Sequence, residues 1–124
     1  MTDRIEMHIR GVVPENTLES FKTLVKDEIA IERADAHAAR KEWFLDDNRA
    51  FRVIVVCESS EALIQYFEGL EERDYGARFD EVSEYTNVEF FGHPSNAVRE
   101  YLESYGDDVM KKIAYFTPLD GFSN

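Results

Sequence analysis

The order of hydrophobic patterns along this chain constrains its fold more than any other feature. Period-two patterns predict strands, and 3.6-residue patterns predict helices. The predicted order is a strand at 4–13, a helix at 16–36, strands at 39–46 and 50–57, a helix at 59–70 and a strand at 86–92. This β-α-β-β-α-β order is the split-βαβ plan, an α+β fold in which an antiparallel sheet carries its helices on one face. The other face needs separate cover.

Composition excludes several classes of partner. The 124 residues suit one domain, and a hydrophobic content of 44% indicates a folded chain. The net charge of −12 would repel nucleic acid and anionic membrane surfaces. We see no signal peptide and no apolar run near the roughly 20 residues of a membrane span. Since Cys57 is the sole cysteine, no internal disulfide can form, and we expect a cytoplasmic protein.

The first strand predicts two sheet faces of different character. Its apolar side chains (Ile5, Met7 and Ile9) alternate with polar ones (Glu6, His8 and Arg10). We expect the apolar face to pack against the helices. The hairpin that follows has its turn at 46–48, where Asp and Asn tolerate the required backbone. A register shift of one residue moves every side chain to the other face, so spacing alone leaves open whether Trp43 or Phe44 faces the helices.

Start signals mark the predicted helices. Asn16 begins a capping-box pattern, and Ser59 or Ser60 can cap the second helix. A third amphipathic segment follows the fourth strand, and the aromatic spacing within 75–82 indicates a further short helical turn. We expect residues 115–116 in a last short strand or in a tail packed on a partner subunit.

Several segments resemble one protein family. They are EWFLDD, SSEALIQYFEGL and TNVEFFGHPSNAVREYL followed by TPLDGF, and they are similar to the antibiotic biosynthesis monooxygenase-like proteins of the dimeric α+β barrel superfamily. The resemblance extends from the first strand to Phe122. It implies a ferredoxin-like protomer that pairs with a second copy through the open sheet faces. A homodimer of this kind would cover the sheet face that the helices leave free.

The resemblance also implies a chemistry. Active members of the family oxidise phenols or quinols with molecular oxygen and use neither metal nor flavin. The chain is therefore expected to be a cofactor-independent monooxygenase of a small aromatic, quinol-like compound, without a cofactor or metal site. Such a reaction requires an electron-rich substrate anion in a dry pocket, with a base or hydrogen-bond donor beside it.

Candidate site residues follow from this chemistry. The candidate catalytic residues are His8, Arg10, Glu42 and Tyr66, and the candidate substrate-binding residues are Trp43, Phe44, Phe91 and His93. His8 has a side chain that titrates near neutral pH, and Arg10 has a fork-shaped donor. The structural alternatives are ion pairs for His8 and Arg10, a solvated or interface charge for Glu42, a core or interface position for Trp43, and a structural hydrogen bond for His93.

Two features of the family pattern are absent from this chain. Relatives often carry a His in the second helix, where this chain has Tyr66, and a Glu near the end of the third strand, where it has Val55 and Val56. With a reference pKa of about 10, a tyrosine is a poor base at neutral pH. The alternative function is therefore a non-catalytic dimeric module that binds a small ligand or has a structural role.

Overall fold

The fold is built on a five-stranded sheet, which a computed structural model describes together with its helices over residues 3–124. The strands are β1 (Ile5–Val12), β2 (Arg40–Leu45), β3 (Ala50–Cys57), β4 (Glu84–Phe91) and β5 (Ile113–Phe116). The helices are α1 (Leu18–Asp35), α2 (Ser60–Glu72), α3 (Tyr75–Asp80), α4 (Asn96–Glu103) and α5 (Asp107–Met110). A 3-10 turn at Glu15–Thr17 precedes α1.

The strand order confirms the predicted fold class. The sheet runs β2-β3-β1-β4-β5, and the first four strands pair in antiparallel fashion. This is the ferredoxin-like arrangement of the split-βαβ plan. The last strand, β5, lies parallel to β4 at the edge of the sheet. The expectation of a last short strand is therefore correct, and it adds a fifth strand to the four that the hydrophobic order predicts.

Two helix starts have different capping chemistry. The hydroxyl of Ser59 accepts a hydrogen bond from the backbone N–H of Ala62 at 3.1 Å, which confirms the predicted cap of α2. The prediction for α1 is wrong in detail, because Asn16 lies in the 3-10 turn and the N-cap is Thr17, whose hydroxyl donates to the carbonyl of Val82 instead. Across residues 3–124, no helix has both the length and the apolar character needed to cross a membrane.

The hydrophobic core lies between the sheet and the helices. The strand residues that face it alternate in sequence, as Met7 shows by its position opposite Val55 and Phe90. Buried helix residues complete the core: Phe21 and Leu24 of α1, Leu63, Tyr66 and Phe67 of α2, Tyr75 of α3, and Val98 and Leu102 of α4. The predicted helix-facing side of β1 is thus confirmed.

The hairpin register resolves the open question about the two aromatic residues of β2. Trp43 faces the helices, whereas Phe44 lies on the other face and is 48% exposed. The carboxylate of Asp46 forms the turn by accepting hydrogen bonds from the backbone N–H groups of Asn48 and Ala50. Within this turn, the residue with a left-handed backbone conformation is Arg49, with φ 64°, and not one of the Asp or Asn residues.

The second face of the sheet, here called the open face, points away from the helices. Its residues are Glu6, His8 and Arg10 of β1; Arg40, Glu42 and Phe44 of β2; Arg52, Ile54 and Val56 of β3; Asn87, Glu89 and Phe91 of β4; and Ala114 and Phe116 of β5. The ring of Phe91 lies 4.8 Å from His8 and 5.2 Å from Phe116 between centroids. The open face therefore combines charged groups with an aromatic strip.

Replacement of Gly11 should destabilise the fold. The β1–β4 register shifts between Arg10 and Gly11, and a Cβ at Gly11 would overlap with the carbonyl oxygen of Glu84 and the ring of Phe51. We expect Gly11→Ala to lower the free energy of unfolding by about 1–3 kcal/mol, the usual cost of overpacking. The matched control is Gly76→Ala in α3, where a Cβ meets nothing within 4 Å. Chemical denaturation measures both, and equal stability of the two variants would contradict the prediction.

Candidate functional site

An aromatic cavity lies between the helix-facing side of the sheet and the helices. Its volume is about 550 Å³, within the range of small-molecule sites. Nine aromatic side chains line it: Trp43, Phe51, Tyr66, Phe67, Tyr75, Phe79, Tyr85, Phe90 and Tyr105. Aliphatic side chains of β1, β3, β4 and α4 complete the walls, among them Met7, Ile9, Val53, Val88 and Leu102.

Trp43 forms the best-defined wall of this cavity. Its ring stacks on Phe79 at 5.0 Å between centroids and an interplanar angle of 24°. Phe21 meets the same indole edge-on at 5.5 Å, and Phe51 lies 5.6 Å away. Contacts on several sides fix the orientation of the indole, and offset or edge-to-face geometries of this kind are favourable for aromatic pairs. The cavity therefore has a rigid, flat boundary.

A buried polar cluster, here called the Lys41 cluster, consists of Lys41, Glu28, Glu32 and Tyr66. The Lys41 ammonium donates to Glu28 Oε1 at 2.7 Å, to Glu32 Oε2 at 2.8 Å and to the Tyr66 hydroxyl at 2.6 Å. The indole N–H of Trp43 also donates to Glu28 Oε1, at 3.0 Å. Lys41, Glu28 and Tyr66 line the aromatic cavity, while Glu32 lies behind them.

Elementary spacing rules bring this cluster together. Lys41 and Trp43 are two residues apart on β2, so they share the helix-facing side. Glu28 and Glu32 are four residues apart on α1, so they share one helical face. The adjacent helix α2 contributes Tyr66. Three elements thus direct their polar groups to one point.

The electrostatics of the cluster follow from its burial. The exposed fractions are 7% for the Lys41 side chain, 3% for Glu28 and 10% for Glu32. Burial raises the pKa of Glu32 to about 7; Lys41 opposes this rise and the Glu28 carboxylate reinforces it. Burial also raises the pKa of Tyr66, which keeps the phenol protonated at neutral pH.

The ammonium group of Lys41 remains charged in this setting. Burial alone would lower its pKa, but the Tyr66 oxygen and the carboxylates of Glu28 and Glu32 outweigh that effect and raise it. With both carboxylates ionised, the cluster carries one excess negative charge. A proton on Glu32 would remove this excess, which makes Glu32 the titrating member of the cluster near neutral pH.

The structure separates the residues predicted from sequence into two groups. Trp43 and Tyr66 line the aromatic cavity. His8, Arg10, Glu42, Phe44 and Phe91 lie on the open face, on the other side of the sheet, and His93 is exposed in the connection after β4. His8 and Phe91 are in ring contact, but none of the open-face residues borders the cavity. The functional roles assigned to them stay predictions.

The ion-pair alternative describes the geometry of His8 and Arg10, and the half-exposed Glu42 also forms an ion pair. His8 Nε2 lies 2.8 Å from Glu6 Oε2, Arg10 lies 3.1 Å from Glu89, and Glu42 contacts the guanidinium of Arg40. These pairs connect neighbouring positions on one strand or adjacent strands. In addition, no three His, Cys, Asp or Glu side chains within residues 3–124 converge in a way that could hold a metal ion.

Sequence analysis missed Lys41, Glu28 and Glu32, although the sequence carries a signal for them. Glu28 lies seven residues after Phe21, so it occupies the stripe of α1 that should be apolar. Lys41 shares the alternation of Trp43, so a register that buries the tryptophan also buries the lysine. Charged residues at positions that the periodicity assigns to the core are the pattern that reveals a buried polar site.

Comparisons with solved structures support the fold. The chain is similar to MupZ from Pseudomonas fluorescens, with a TM-score of 0.77 and 13% identity over 98% of this chain and 94% of that one. It is also similar to SnoaB, a cofactor-independent oxygenase from Streptomyces nogalater, with a TM-score of 0.62 and 13% identity over 75% of this chain and 95% of that one.

A further similar structure is a conserved protein from Bacteroides thetaiotaomicron, described as a possible oxidoreductase. Its TM-score is 0.64 and its identity 16%, over 73% of this chain and 98% of that one. No protein-family model and no curated protein sequence matches the chain. The structural likenesses, each below 25% identity, show that the chain shares its fold with these three proteins.

Replacement of the buried Lys41 should lower the stability of the protein far more than replacement of its exposed neighbour Arg40. Lys41→Met would leave Glu28 and Glu32 buried without a counter-charge, and we expect it to lower the free energy of unfolding by about 3–5 kcal/mol. The loss should shrink in mildly acidic solution, because both carboxyl groups can then take up protons. Arg40→Met, which removes only the exposed pair with Glu42, should change stability little. Denaturant unfolding of both variants at neutral and at mildly acidic pH measures these changes. Equal losses of stability in Lys41→Met and Arg40→Met would contradict the prediction.

Proposed function

We propose that this protein is a cofactor-independent monooxygenase that oxidises a small phenolic or quinol-like compound bound in the aromatic cavity. The observation that carries the proposal is the position of the Lys41 cluster. A buried ammonium, a carboxylate and a phenol converge on the wall of a largely apolar cavity. This is the combination that deprotonation of a phenol in a dry site requires.

The charge at the cavity favours a neutral substrate. Among the lining residues that the structure describes, Lys41 is the only Lys or Arg, and its charge is already balanced within the cluster. Three exposed carboxylates, Glu71, Asp74 and Asp80, border the same cavity. They would repel a carboxylated or phosphorylated compound. A flat, uncharged hydroxyarene that stacks along Trp43 fits these constraints.

The acid–base step has a clear assignment. Both contacts of Glu28 use Oε1, so Oε2 can accept the hydroxyl proton of the substrate. Glu28 loses its charge when it takes this proton, and the Lys41 ammonium is then the counter-ion of the new phenolate. Tyr66 accepts a hydrogen bond from Lys41, so its own hydroxyl hydrogen can donate to the phenolate oxygen. Lys41 and Tyr66 together stabilise the negative charge that develops on the substrate oxygen.

The oxidation balances without another reductant. The phenolate passes one electron to molecular oxygen, and the resulting radical pair joins at a hydrogen-bearing ring carbon ortho or para to the oxygen atom. Loss of the hydrogen at that carbon as a proton, with cleavage of the O–O bond, yields a quinone and hydroxide, and the hydroxide takes up the proton that the phenol gave to the cluster and leaves as water. The substrate supplies four electrons, one oxygen atom enters the product, and the other leaves as water. The protein contributes the base, the counter-ion and a largely apolar, aromatic cavity.

A second candidate function is non-catalytic binding of a small aromatic compound. The observation in its favour is that all three N–H donors of Lys41 already have partners inside the cluster. A fully satisfied network is also what a purely structural buried lysine requires. Under this alternative the cavity would bind an aromatic ligand through stacking and burial of apolar area, and no oxygen would be consumed.

Oxygen-uptake measurements on a panel of hydroquinones and hydroxynaphthalenes separate the two candidates. Turnover by the monooxygenase should need oxygen and survive chelators. Glu28→Gln should lower kcat by about 100-fold or more, as loss of a positioned base does. Tyr66→Phe, which removes one donor to the anion, should lower kcat by about 100-fold. The control Glu61→Gln makes the same amide change at an exposed position of α2 and should be neutral.

The same assay tests the open-face residues. A loss of about 100-fold in His8→Ala, with Glu28→Gln active, would move the chemistry to the open face and refute the assignment to the cavity. Saturable binding of the phenols without oxygen uptake would instead support the binding module. Near-ultraviolet circular dichroism on each variant checks that the aromatic packing around Trp43 persists.

We also propose a homodimer through the open face. A monomer leaves Phe44 and Phe116 about half exposed there, on the two edge strands, and large exposed apolar groups on one sheet face favour cover by a partner. The segment 117–124 after β5 adds two side chains that are almost fully exposed, Leu119 at 99% and Phe122 at 89%. A second copy would cover these groups, and the resemblance to a barrel-forming superfamily agrees with sheet-to-sheet pairing.

Light scattering at micromolar concentration should report twice the 14.4 kDa of one chain. Phe44→Asp places a charge in the proposed interface, and it should shift the protein to the monomer because buried unpaired charges are costly. Ile31→Asp is the matched control, since Ile31 is an exposed hydrophobic residue on α1, away from the open face. A wild-type monomer, or equal dissociation by both variants, would refute the dimer.

A further inference from the structure

We propose that the Glu32 carboxyl group is a proton relay, which works through one water molecule in a small cavity behind the Lys41 cluster and connects the aromatic cavity with solvent. The inference rests on the proposed function, since it deepens the acid–base chemistry of the same site. Glu32 does not line the aromatic cavity, so it acts through Lys41 and Glu28 rather than on the substrate. Its proposed role is to take up and release the proton that these two residues pass on.

The small cavity has the size and the lining that a bound water needs. Its volume is about 10 Å³, close to the minimum for one water molecule. It is lined by Glu32, Asp35, His37, Ala38, Tyr66, Gly69, Leu70 and Arg73. A buried water requires two to four polar partners, and this lining offers carboxylates, an imidazole, a phenol and a guanidinium.

The two oxygens of Glu32 point to the same conclusion. Oε2 accepts from Lys41 at 2.8 Å, whereas Oε1 is buried and has no hydrogen-bond partner within the protein. A buried polar atom without a partner is costly, and bound water is the usual way in which proteins satisfy such atoms. Since Glu32 lines the small cavity, a water there would complete its hydrogen bonding and give it a route for protons.

The path across the cluster returns Lys41 and Glu28 to their starting charges. Glu28 takes the phenol proton from the substrate. Rotation of the protonated Glu28 carboxyl group brings this proton from the substrate side to Lys41. Lys41 then donates one proton to Glu32 and receives one from Glu28, so the ammonium remains a cation. The net result is one proton moved from the substrate to Glu32, with Glu28 again ionised. From Glu32 the proton passes to the water and then to the partly exposed lining residues.

Several titratable groups surround Glu32. They are Glu28 and Asp35 on α1, His37 after α1, Lys41 on β2, Cys57 on β3, Tyr66 on α2 and Arg73 at the C-terminal end of α2. Burial dominates and raises the pKa of Glu32 from 4.5 to about 7. The folded protein therefore holds a proton on Glu32 that the unfolded chain has released, and its stability falls as the pH rises from 4.5 to about 7.

Infrared titration of the ligand-free protein tests the relay without any activity assay. The difference spectrum between the wild type and Glu32→Gln should show the carbonyl band of one protonated carboxyl group, with a titration midpoint near 7. The free energies of unfolding of the wild type and Glu32→Gln should also diverge with pH. That of the wild type should fall relative to that of the variant as the pH rises from 4.5 to about 7. A carboxyl group that stays ionised throughout, or a band that Glu32→Gln does not remove, would overturn the proposal.

Filling the small cavity provides a second test that leaves the cluster intact. A Cβ at Gly69 would meet no atom nearer than 3.8 Å, so Gly69→Ala should fold normally while it takes the space of the water. In deuterated buffer, the Glu32 carboxyl band should exchange at least about tenfold more slowly in Gly69→Ala, because exchange requires contact with water. Gly76→Ala in α3 is the control. Equal exchange in the wild type and both variants would show that no water reaches Glu32 through this cavity.

Binding of 1-naphthol without oxygen distinguishes failure of the relay from failure of the proposed function. At mildly alkaline pH, naphthol binding should increase the Glu32 carboxyl band in the wild type and not in Glu32→Gln. Naphthol that binds without this increase overturns the relay and leaves the oxygenase proposal standing. Naphthol that does not bind argues against both the substrate class and the relay, whatever the ligand-free titration shows about the carboxyl group itself.

Discussion

The buried ammonium group of Lys41 is the interaction on which the site depends. It joins the edge strand β2 to α1 and α2 through three short contacts. The same network orients Trp43 through its indole N–H, and Trp43 forms the flat wall of the cavity. Without this cation, two carboxylates would remain unpaired in an apolar interior, where an isolated charge costs several kcal/mol.

Such a cluster is an expensive way to hold three elements together. Hydrophobic side chains of similar volume often stabilise a core as well as or better than a buried ion pair. Stability alone therefore gives little reason to place Glu28, Glu32 and Lys41 between the sheet and the helices. Their location on the wall of a cavity of about 550 Å³ supplies a functional reason, because perturbed titratable groups beside a pocket are typical of active sites.

The sequence predicted the fold better than the site, and the reason is physical. Hydrophobic periodicity identifies strands and helices, and β-α-β-β-α-β order leaves few ways to arrange them. It could not decide which face of the β2–β3 hairpin is internal, because a shift of one residue exchanges Trp43 for Phe44. The site predictions depended on that choice. His8 and Glu42 look suitable by chemical type, but their strand positions place them on the open face, whereas Lys41 becomes internal together with Trp43.

The sheet thus separates two kinds of surface. Residues that alternate along the same strands contribute to the aromatic cavity on one side and to the open face on the other, as Trp43 and Phe44 do on β2. A substitution at an open-face position changes the surface available for assembly and leaves the cavity lining in place, because neighbouring side chains on a strand point in opposite directions. The proposed dimer interface and the proposed active site can therefore vary independently on this fold, provided that the backbone of β2 keeps its register. The turn formed by Asp46, which fixes that register, consequently matters as much for the site as the residues that line it.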